Sequence, residues 1–343
     1  MDMRFLGRTG LQVSALSLGT MTFGGEGRFG AMGNLGVDDA RTFVDRCLDA
    51  GVNLFDTADV YSTGASEEIL GQALGDRRDE IVLATKVRGR MGEGANDVGL
   101  SRHHIISGCE ASLRRLGTDY IDLYQVHGWD SLTPLQETLG ALDDLVHSGK
   151  VRYVGCSNYS AWHVMKALGI SERNDLERFC SQQVNYSLVA RELEYELVPL
   201  SLDQGLGILV WSPLAAGFLS GKFRRGQDPP DGSRLAQMDA PGTIDEERGY
   251  DIVDALVEIG EAHDVSPAQV GINWLTRKRG VTSVIIGARN LEQLEDNLKA
   301  AEWEMSDDEL ARLDELSEPP QIYPYWHQRK FAADRIPEFA EAG

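Results

Sequence analysis

The chain has 343 residues, is 42% hydrophobic and carries a formal net charge of −21. That is enough apolar material for a large core, and the wrong sign of charge for a nucleic-acid surface. No run nears the roughly 20 apolar residues that span a bilayer, and MDMRFLGRTG lacks the apolar stretch of a secretory signal. The cysteines Cys47, Cys109, Cys156 and Cys180 form no short-spaced pair, which argues against a zinc cluster and for free thiols in a reducing cytoplasm.

Residues 3–14 alternate around Gly7 and Gly10 as a hairpin would, placed to plug the bottom of a barrel. An apolar run at 15–18 ends in Gly19, Thr20 and Met21. A glycine-rich loop at 24–36 leads to a helix from Asp38, with Ala40, Phe43, Val44, Cys47 and Leu48 on one face. A second strand at 52–55 precedes a helix starting near Ser66, read as its cap, with Glu67 and Glu68 in the first turn. The third pair is strand 81–85 and helix 102–116, separated by an insert at 88–99. The fourth is 121–126 with 134–147, the fifth 151–156 with 161–168, and the sixth 179–184 with 194–203. Strand seven, 208–211, is followed by the long segment 218–265, with its QDPPDGS stretch and a helix near 246–263, and then by a helix at 267–277. Strand 283–286 and helix 291–300 form the eighth pair, and a tail with Pro319, Pro320, Tyr323, Pro324, Tyr325 and Trp326 ends the chain.

Eight β-α units in order favour a (β/α)8 TIM barrel. A doubly wound sheet would place a GxGxxG turn after its first strand, and Gly19-Thr20-Met21 does not match. The expectation is one α/β domain over residues 1–343, with an N-terminal hairpin, an extra helix after strand seven and a C-terminal tail over the rim.

Chemistry in such a barrel sits at the C-terminal ends of the strands. Strand two ends in Asp56, with Tyr61 five residues on. Strand three ends in Lys86 and strand four in His127. Strand five ends in Ser157 and Asn158, strand six in Gln183 and Asn185, strand seven in Trp211, Ser212 and Pro213, and strand eight in Gly287, Ala288 and Arg289. Each alone is ordinary turn or surface material. A carboxylate, a phenol, an amine and an imidazole leaving three successive strands are more than that. A free phenol titrates near 10, too high for a good general acid at neutral pH. A neighbouring ammonium pulls it down, and Asp56 supplies the counter-charge a buried lysine needs. Such a site protonates a developing alkoxide.

Asp56, Tyr61, Lys86 and His127, at these spacings, resemble the catalytic tetrad of the aldo-keto reductases. LSLGTMTFGG, FDTADVYSTGASEEILGQAL, ATKV, LYQVH, VGCSNYS, WSPLAAGFLSGK and IIGARNLEQLEDN resemble family segments in the family's order and cover nearly the whole chain. The likeness is to the bacterial sugar- and broad-carbonyl-reductase branch, which is similar to potassium-channel β subunits. It implies Tyr61 as general acid, Lys86 as the group that lowers its pKa, Asp56 as the holder of Lys86, and His127 as the residue that orients the carbonyl. It also implies NADPH, with NADH possible, lying across the rim beside Gly19, Thr20, Met21 and Asp56. Ser157, Asn158 and Gln183 would hold the carboxamide and Trp211 would stack on the nicotinamide. Ser212, Pro213, Leu214, Gly217, Leu219 and Lys222 would cradle the pyrophosphate, and Gly287, Arg289, Gln293, Asp296 and Asn297 the 2′-phosphate and adenine.

The residues themselves agree at two places. Arg289 enters the last helix, where an anion gains backbone amides and a guanidinium. Lys222, Arg224 and Arg225 form a basic cluster in an acidic chain. Asp59 is read as a turn residue. Phe23, Trp129, Tyr325 and Trp326 are candidate walls of a pocket for a small carbonyl substrate, and Phe29 and Met32 share the ambiguity of Phe23. No nucleic-acid or membrane partner is expected. Two rival readings are a cofactor-binding redox sensor with little turnover, and a Schiff-base aldolase with Lys86 as nucleophile.

Overall fold

Eight short runs of sequence pair edge to edge in the computed structural model, which describes residues 1–25, 27–228, 233, 235, 244–331 and 335. A hairpin comes first, β1 (Met3–Phe5) against β2 (Gln12–Ser14), antiparallel. The barrel strands are β3 (Leu16–Gly19), β4 (Leu54–Asp56), β5 (Val82–Val87), β6 (Ile121–Val126), β7 (Val151–Ser157), β8 (Ser181–Asn185), β9 (Gly207–Trp211) and β10 (Val281–Ile286). They are parallel and run in chain order, and β10 closes on β3. The register sets the polar strand ends side by side. Gly19 pairs with Asp56, Asp56 with Ala84, Lys86 with Gln125, Ser157 with Gln183, and Asn185 with Trp211. This is the (β/α)8 barrel that the strand count predicts.

The hairpin plugs the barrel as expected. Leu6 and Val13 are fully buried and pack with Leu54, Ala84, Leu123 and Leu209 from the barrel interior. Each such side chain removed from water is worth about 1.5–3 kcal/mol. The plug requires a glycine at its turn. Gly7 has φ +59°, and a Cβ there would lie 2.5 Å from the Gly205 carbonyl and 2.6 Å from that of Cys180.

Helices fill the outer layer: α1 (Val37–Asp49), α2 (Ala65–Leu74), α3 (Arg102–Leu116), α4 (Leu135–His147), α5 (Ala161–Asn174), α6 (Leu197–Gln204), α7 (Glu246–His263), α8 (Pro267–Thr276) and α9 (Leu291–Leu298). The α1 face is as predicted, with Ala40, Phe43, Val44 and Cys47 buried. Four differences have local causes. The span read as one helix at 194–203 breaks at Glu196 (φ −135°), so a 3-10 turn over Glu192–Tyr195 precedes α6. Helix α5 continues past Leu168 to Asn174. Ser66 does not cap α2; its hydroxyl donates to the Thr20 carbonyl at 2.8 Å, and Gly64 takes the cap position. The tail forms α10 (Asp307–Leu316) and α11 (Tyr325–Phe331). The first opens on a Ser306–Glu309 capping box, a signal visible as SDDE. Of QDPPDGS, residues 229–232 lie outside the described residues.

The loop after β8 is fixed to α10. Arg191 makes a two-point contact with Glu194 (2.7 and 2.9 Å) and donates to the Asp314 carbonyl, while Lys278 reaches the Asp314 carboxylate at 2.9 Å. The tail then crosses that loop: Tyr325 stacks on Tyr195 and donates to Glu196. All four cysteines are free and buried. Among the described residues, no helix is long and apolar enough to cross a membrane.

Gly7→Ala combines a left-handed backbone with a clash against main-chain atoms that cannot swing away. We expect it to lower the unfolding free energy by about 2–4 kcal/mol in urea titrations. An unchanged midpoint would show that the plug does not hold the barrel floor.

Candidate active site

Asp56 ends β4, and Lys86 is the fifth residue of β5, one strand over. Parallel pairing aims both side chains at the same end of the barrel. Lys86 is fully buried and Asp56 is 3% exposed. The Lys86 Nζ lies 2.5 Å from Asp56 Oδ1 and 2.9 Å from the Thr57 carbonyl, and its third donor direction reaches the Tyr61 hydroxyl at 3.4 Å. The second carboxylate oxygen of Asp56 accepts from Gln183 Nε2 at 2.7 Å and Gln125 Nε2 at 3.2 Å. The His127 ring meets the Tyr61 ring edge-on at 5.7 Å. The structure therefore brings the four sequence-predicted residues into one cluster, with Tyr61 and His127 partly exposed on the rim side of the buried pair.

Burial disfavours the Lys86 ammonium, but Asp56 and Tyr61 more than offset it, so Lys86 titrates above its ordinary value and stays charged. Burial also pushes the Tyr61 phenol up, and the opposing pull of Lys86 does not outweigh it. Lys86 pulls the phenol down, as expected, and burial outweighs that pull in the net.

The turn carrying Tyr61 is strained. Ser62 (φ 47°), Thr63 (φ 57°) and Gly64 (φ 100°) are consecutive left-handed residues. Non-glycine residues in this region persist only when their surroundings hold them. Ser62 is held: it is buried, its hydroxyl donates to the Phe23 carbonyl at 3.0 Å, and it accepts from the Gly25 amide at 3.0 Å.

Asp59 lies in the turn that the sequence suggests, and it is buried there. It is 1% exposed, and neither carboxyl oxygen has a protein hydrogen-bond partner. Desolvation, with Glu67 next, pushes its carboxyl up to about 8 against the pull of Arg115, the Val60 amide and Lys86. Glu67 itself is fully buried. It accepts from Thr85 Oγ1 at 2.5 Å and from Arg115 Nε at 2.7 Å.

The remaining candidates line the rim. Asn158, at φ 56°, donates to the His127 carbonyl (3.1 Å) and accepts from the Trp211 indole (3.2 Å), which fixes Trp211 beside the tetrad. The Ser157 hydroxyl donates to the Gln183 carbonyl. Thr20 is buried and its hydroxyl bonds to Ser66 and the Asp56 carbonyl, while Gly19 packs its backbone on Ile285. Met21 is partly exposed beside them. In the turn after β9, Ser212, Ala215, Ala216 and Gly217 all have positive φ. A run that switches hand in this way makes a concave backbone suited to an anion. Pro213 and Leu219 are buried, Leu214 is partly exposed and Lys222 is exposed. Arg289 and Gly287 are exposed at the entrance to α9, where the Arg289 amide donates to Gln293 and Asn297 donates to the Gly287 carbonyl. Asp296 faces away toward α8, accepting from Ser266 and Gln269 at 2.6 Å each. The basic cluster is not a free patch. Arg225 pairs with Glu247 and Asp251, and Arg224 lies 3.7 Å from Asp254, all on α7.

The candidate walls separate. Phe23 is fully buried and packs edge-on against Phe43, so it belongs to the core; Phe29 takes the place beside Tyr61, with ring centroids 5.7 Å apart. Trp129 stacks on His163 at 3.8 Å and meets Tyr159 edge-on. Tyr325 is engaged with Tyr195 and Glu196, and Trp326 packs with Tyr323 and His327. Sequence reasoning passed over Thr57, Gln125, Ser62 and Glu67. Gln125 carried a signal, being an amide within the apolar run IDLYQV. Ser62 carried none, since its backbone conformation is not written in residue type. Among the described residues, no group of His, Cys, Asp and Glu is arranged to hold a metal ion.

Residues 15–318 match the family model described as the aldo/keto reductase family. The chain is 39% identical over 310 residues to a probable voltage-gated potassium channel subunit beta of Arabidopsis thaliana, covering 88% of this chain and 92% of that one. It is 36% identical over 343 residues to the uncharacterized oxidoreductase YrpG of Bacillus subtilis (strain 168), covering 95% and 100%. It is 33% identical over 344 residues to versiconal hemiacetal acetate reductase of Aspergillus parasiticus, covering 94% and 99%. With an eight-stranded barrel and a match across nearly its whole length, the chain belongs to the aldo/keto reductase family.

Proposed function

We propose that this protein is an NADPH-dependent oxidoreductase that reduces an aldehyde or ketone to an alcohol, reversibly. The observation that carries the reading is the buried Lys86–Asp56 pair with the Tyr61 hydroxyl 3.4 Å from the ammonium and His127 against its ring. When bound, the dihydronicotinamide supplies a hydride with its electron pair. Tyr61 donates its hydroxyl proton to the carbonyl oxygen as that oxygen gains charge. The Lys86 ammonium stabilises the tyrosinate left behind, and Asp56 keeps Lys86 charged and aimed. His127 orients the carbonyl beside the Tyr61 hydroxyl. In the alcohol-oxidising direction the tyrosinate takes the proton back.

The rim supports a dinucleotide. Trp211 is locked by Asn158 with its ring beside the tetrad, and the left-handed run at Ser212, Ala215, Ala216 and Gly217 offers a backbone cradle for a pyrophosphate. Lys222 would add the cation there. Arg289, Gln293 and Asn297 would take the 2′-phosphate and adenine, while Asp296, held by Ser266 and Gln269, stays out of that site, and the guanidinium of Arg289 is what favours NADPH over NADH.

A second reading has one observation behind it. The likeness to channel β subunits of plants allows a cofactor-binding subunit that turns over little. The aldolase reading is disfavoured by the retained charge of Lys86, because an ammonium cannot attack a carbonyl.

Tyr61→Phe keeps the ring and removes the proton donor. We expect it to lower kcat by 100-fold or more, on the order of general-acid effects, while NADPH binding followed by fluorescence stays within about twofold. Turnover surviving in that variant would remove Tyr61 from its role. Steady NADPH consumption by the wild type across a carbonyl panel would exclude the low-turnover subunit.

Arg289→Ala removes one charge-assisted contact to a 2′-phosphate. It should raise the KM for NADPH about tenfold or more and leave that for NADH little changed. Equal effects on both would show that Arg289 does not read the phosphate.

A further inference from the structure

The proposed chemistry has no use for Asp59, yet the fold buries it against the machinery. Its amide donates to the Lys86 carbonyl at 3.2 Å, which ties the two main chains together. The charged and titratable groups around its carboxyl come from every neighbouring element: Glu67 on α2, Arg115 on α3, Lys86 on β5, Tyr124 on β6, and Tyr61 on its own segment. Three of these groups are already matched: Glu67 and Arg115 pair with each other, and Lys86 pairs with Asp56. A neutral Asp59 leaves this buried set balanced. An ionised Asp59 adds a buried carboxylate with no protein hydrogen-bond donor beside another buried carboxylate. The Val60 amide approaches it without meeting hydrogen-bond geometry.

We propose that Asp59 is a positioning residue that carries its proton at neutral pH: neutral, it leaves the field of Lys86 undivided for Tyr61, and ionised in alkali it competes for that ammonium and opposes the tyrosinate. The protonation of Asp59 and of Tyr61 is thereby coupled, so each is harder to ionise once the other has lost its proton. The burial also leaves a mark on stability. An unfolded aspartate titrates near 3.9, and the folded one near 8. Between those values only the folded chain holds the proton. The stabilisation from it is complete below about pH 4, declines as pH rises through about 8, and is constant beyond.

This inference rests on the reductase reading only for the role of Tyr61, and its test does not need turnover. Tyrosinate absorbance would be titrated in the wild type and in Asp59→Asn, each with its Tyr61→Phe counterpart subtracted to isolate Tyr61. The expected result is that Tyr61 ionises at lower pH in D59N. The ratio of tyrosinate to tyrosine should be at least about threefold higher there, at the pH of half-ionisation in the wild type. A merely structural Asp59 would move the denaturation midpoint and leave the Tyr61 titration in place; coincident titrations therefore overturn the proposal. If D59N does not fold, Asp59→Ser replaces it, and the wild type itself must show a protonated-carboxyl infrared band at neutral pH that disappears in alkali. Absence of that band also overturns the proposal. Turnover of carbonyls without the tyrosinate shift would sink Asp59 and spare the reductase reading; the shift without any turnover would do the reverse.

Discussion

The ion pair between Lys86 and Asp56 is the constraint around which this barrel rim is organised. Both groups are essentially out of water, and removing one partner from such a pair costs about 3–5 kcal/mol because the other is left uncompensated. Neither can move without breaking further bonds across the barrel. Lys86 is also bound to the Thr57 carbonyl, and Asp56 to Gln125 on β6 and Gln183 on β8. The pair therefore spans the inside of the barrel like a tie, and the Tyr61 hydroxyl rests on its open end. An ammonium saturated by a carboxylate and a carbonyl has one donor direction left, and the fold points that direction at a phenol.

The same rim holds two runs of backbone that most sequences avoid. One is Ser62, Thr63 and Gly64 behind Tyr61; the other is Ser212 and Ala215 to Gly217 after β9. Strain of this kind costs of order 1–3 kcal/mol per residue and must be held by its surroundings. At Ser62 the hydroxyl bonds to both Phe23 and Gly25, so the first loop and the Tyr61 turn support each other. This gives the glycine-rich segment after β3 a structural part: its near end supports the turn that carries Tyr61, and Phe29, from its middle, lies against the Tyr61 ring.

The strands and the tetrad were legible because most of the strands are largely apolar runs with a polar residue at or near the C-terminal end, and because parallel order alone brings successive ends together. Ile121–Val126 and Arg102–Leu116 have the bounds the pattern predicts. What was illegible depends on contacts between distant segments. Arg224 and Arg225 look like an anion site until α7, a helix the sequence does reveal, turns out to present Glu247, Asp251 and Asp254 to them. Phe23 and Phe29 look alike in the sequence, and only packing sends one into the core and the other to the rim. Asp59 has the flanking residues of a turn, and only the fold shows it buried beside the Glu67–Arg115 ion pair of α2 and α3.

These corrections bear on how so acidic a chain would accept an anionic dinucleotide. With Arg224 and Arg225 matched by acids of α7, those two arginines supply no long-range positive funnel to oppose a charge of −21. At physiological salt, fields from exposed charges fade within about 8 Å in any case. Recognition of the proposed cofactor would then be short-range, made of backbone amides in a strained turn, one exposed lysine at 222 and one guanidinium at 289. Short-range donors of this kind act only after the ligand has arrived and shed its water. Affinity for the proposed cofactor would accordingly respond to geometry more than to ionic strength, and the strain in the turn after β9 is the structural form that geometry takes.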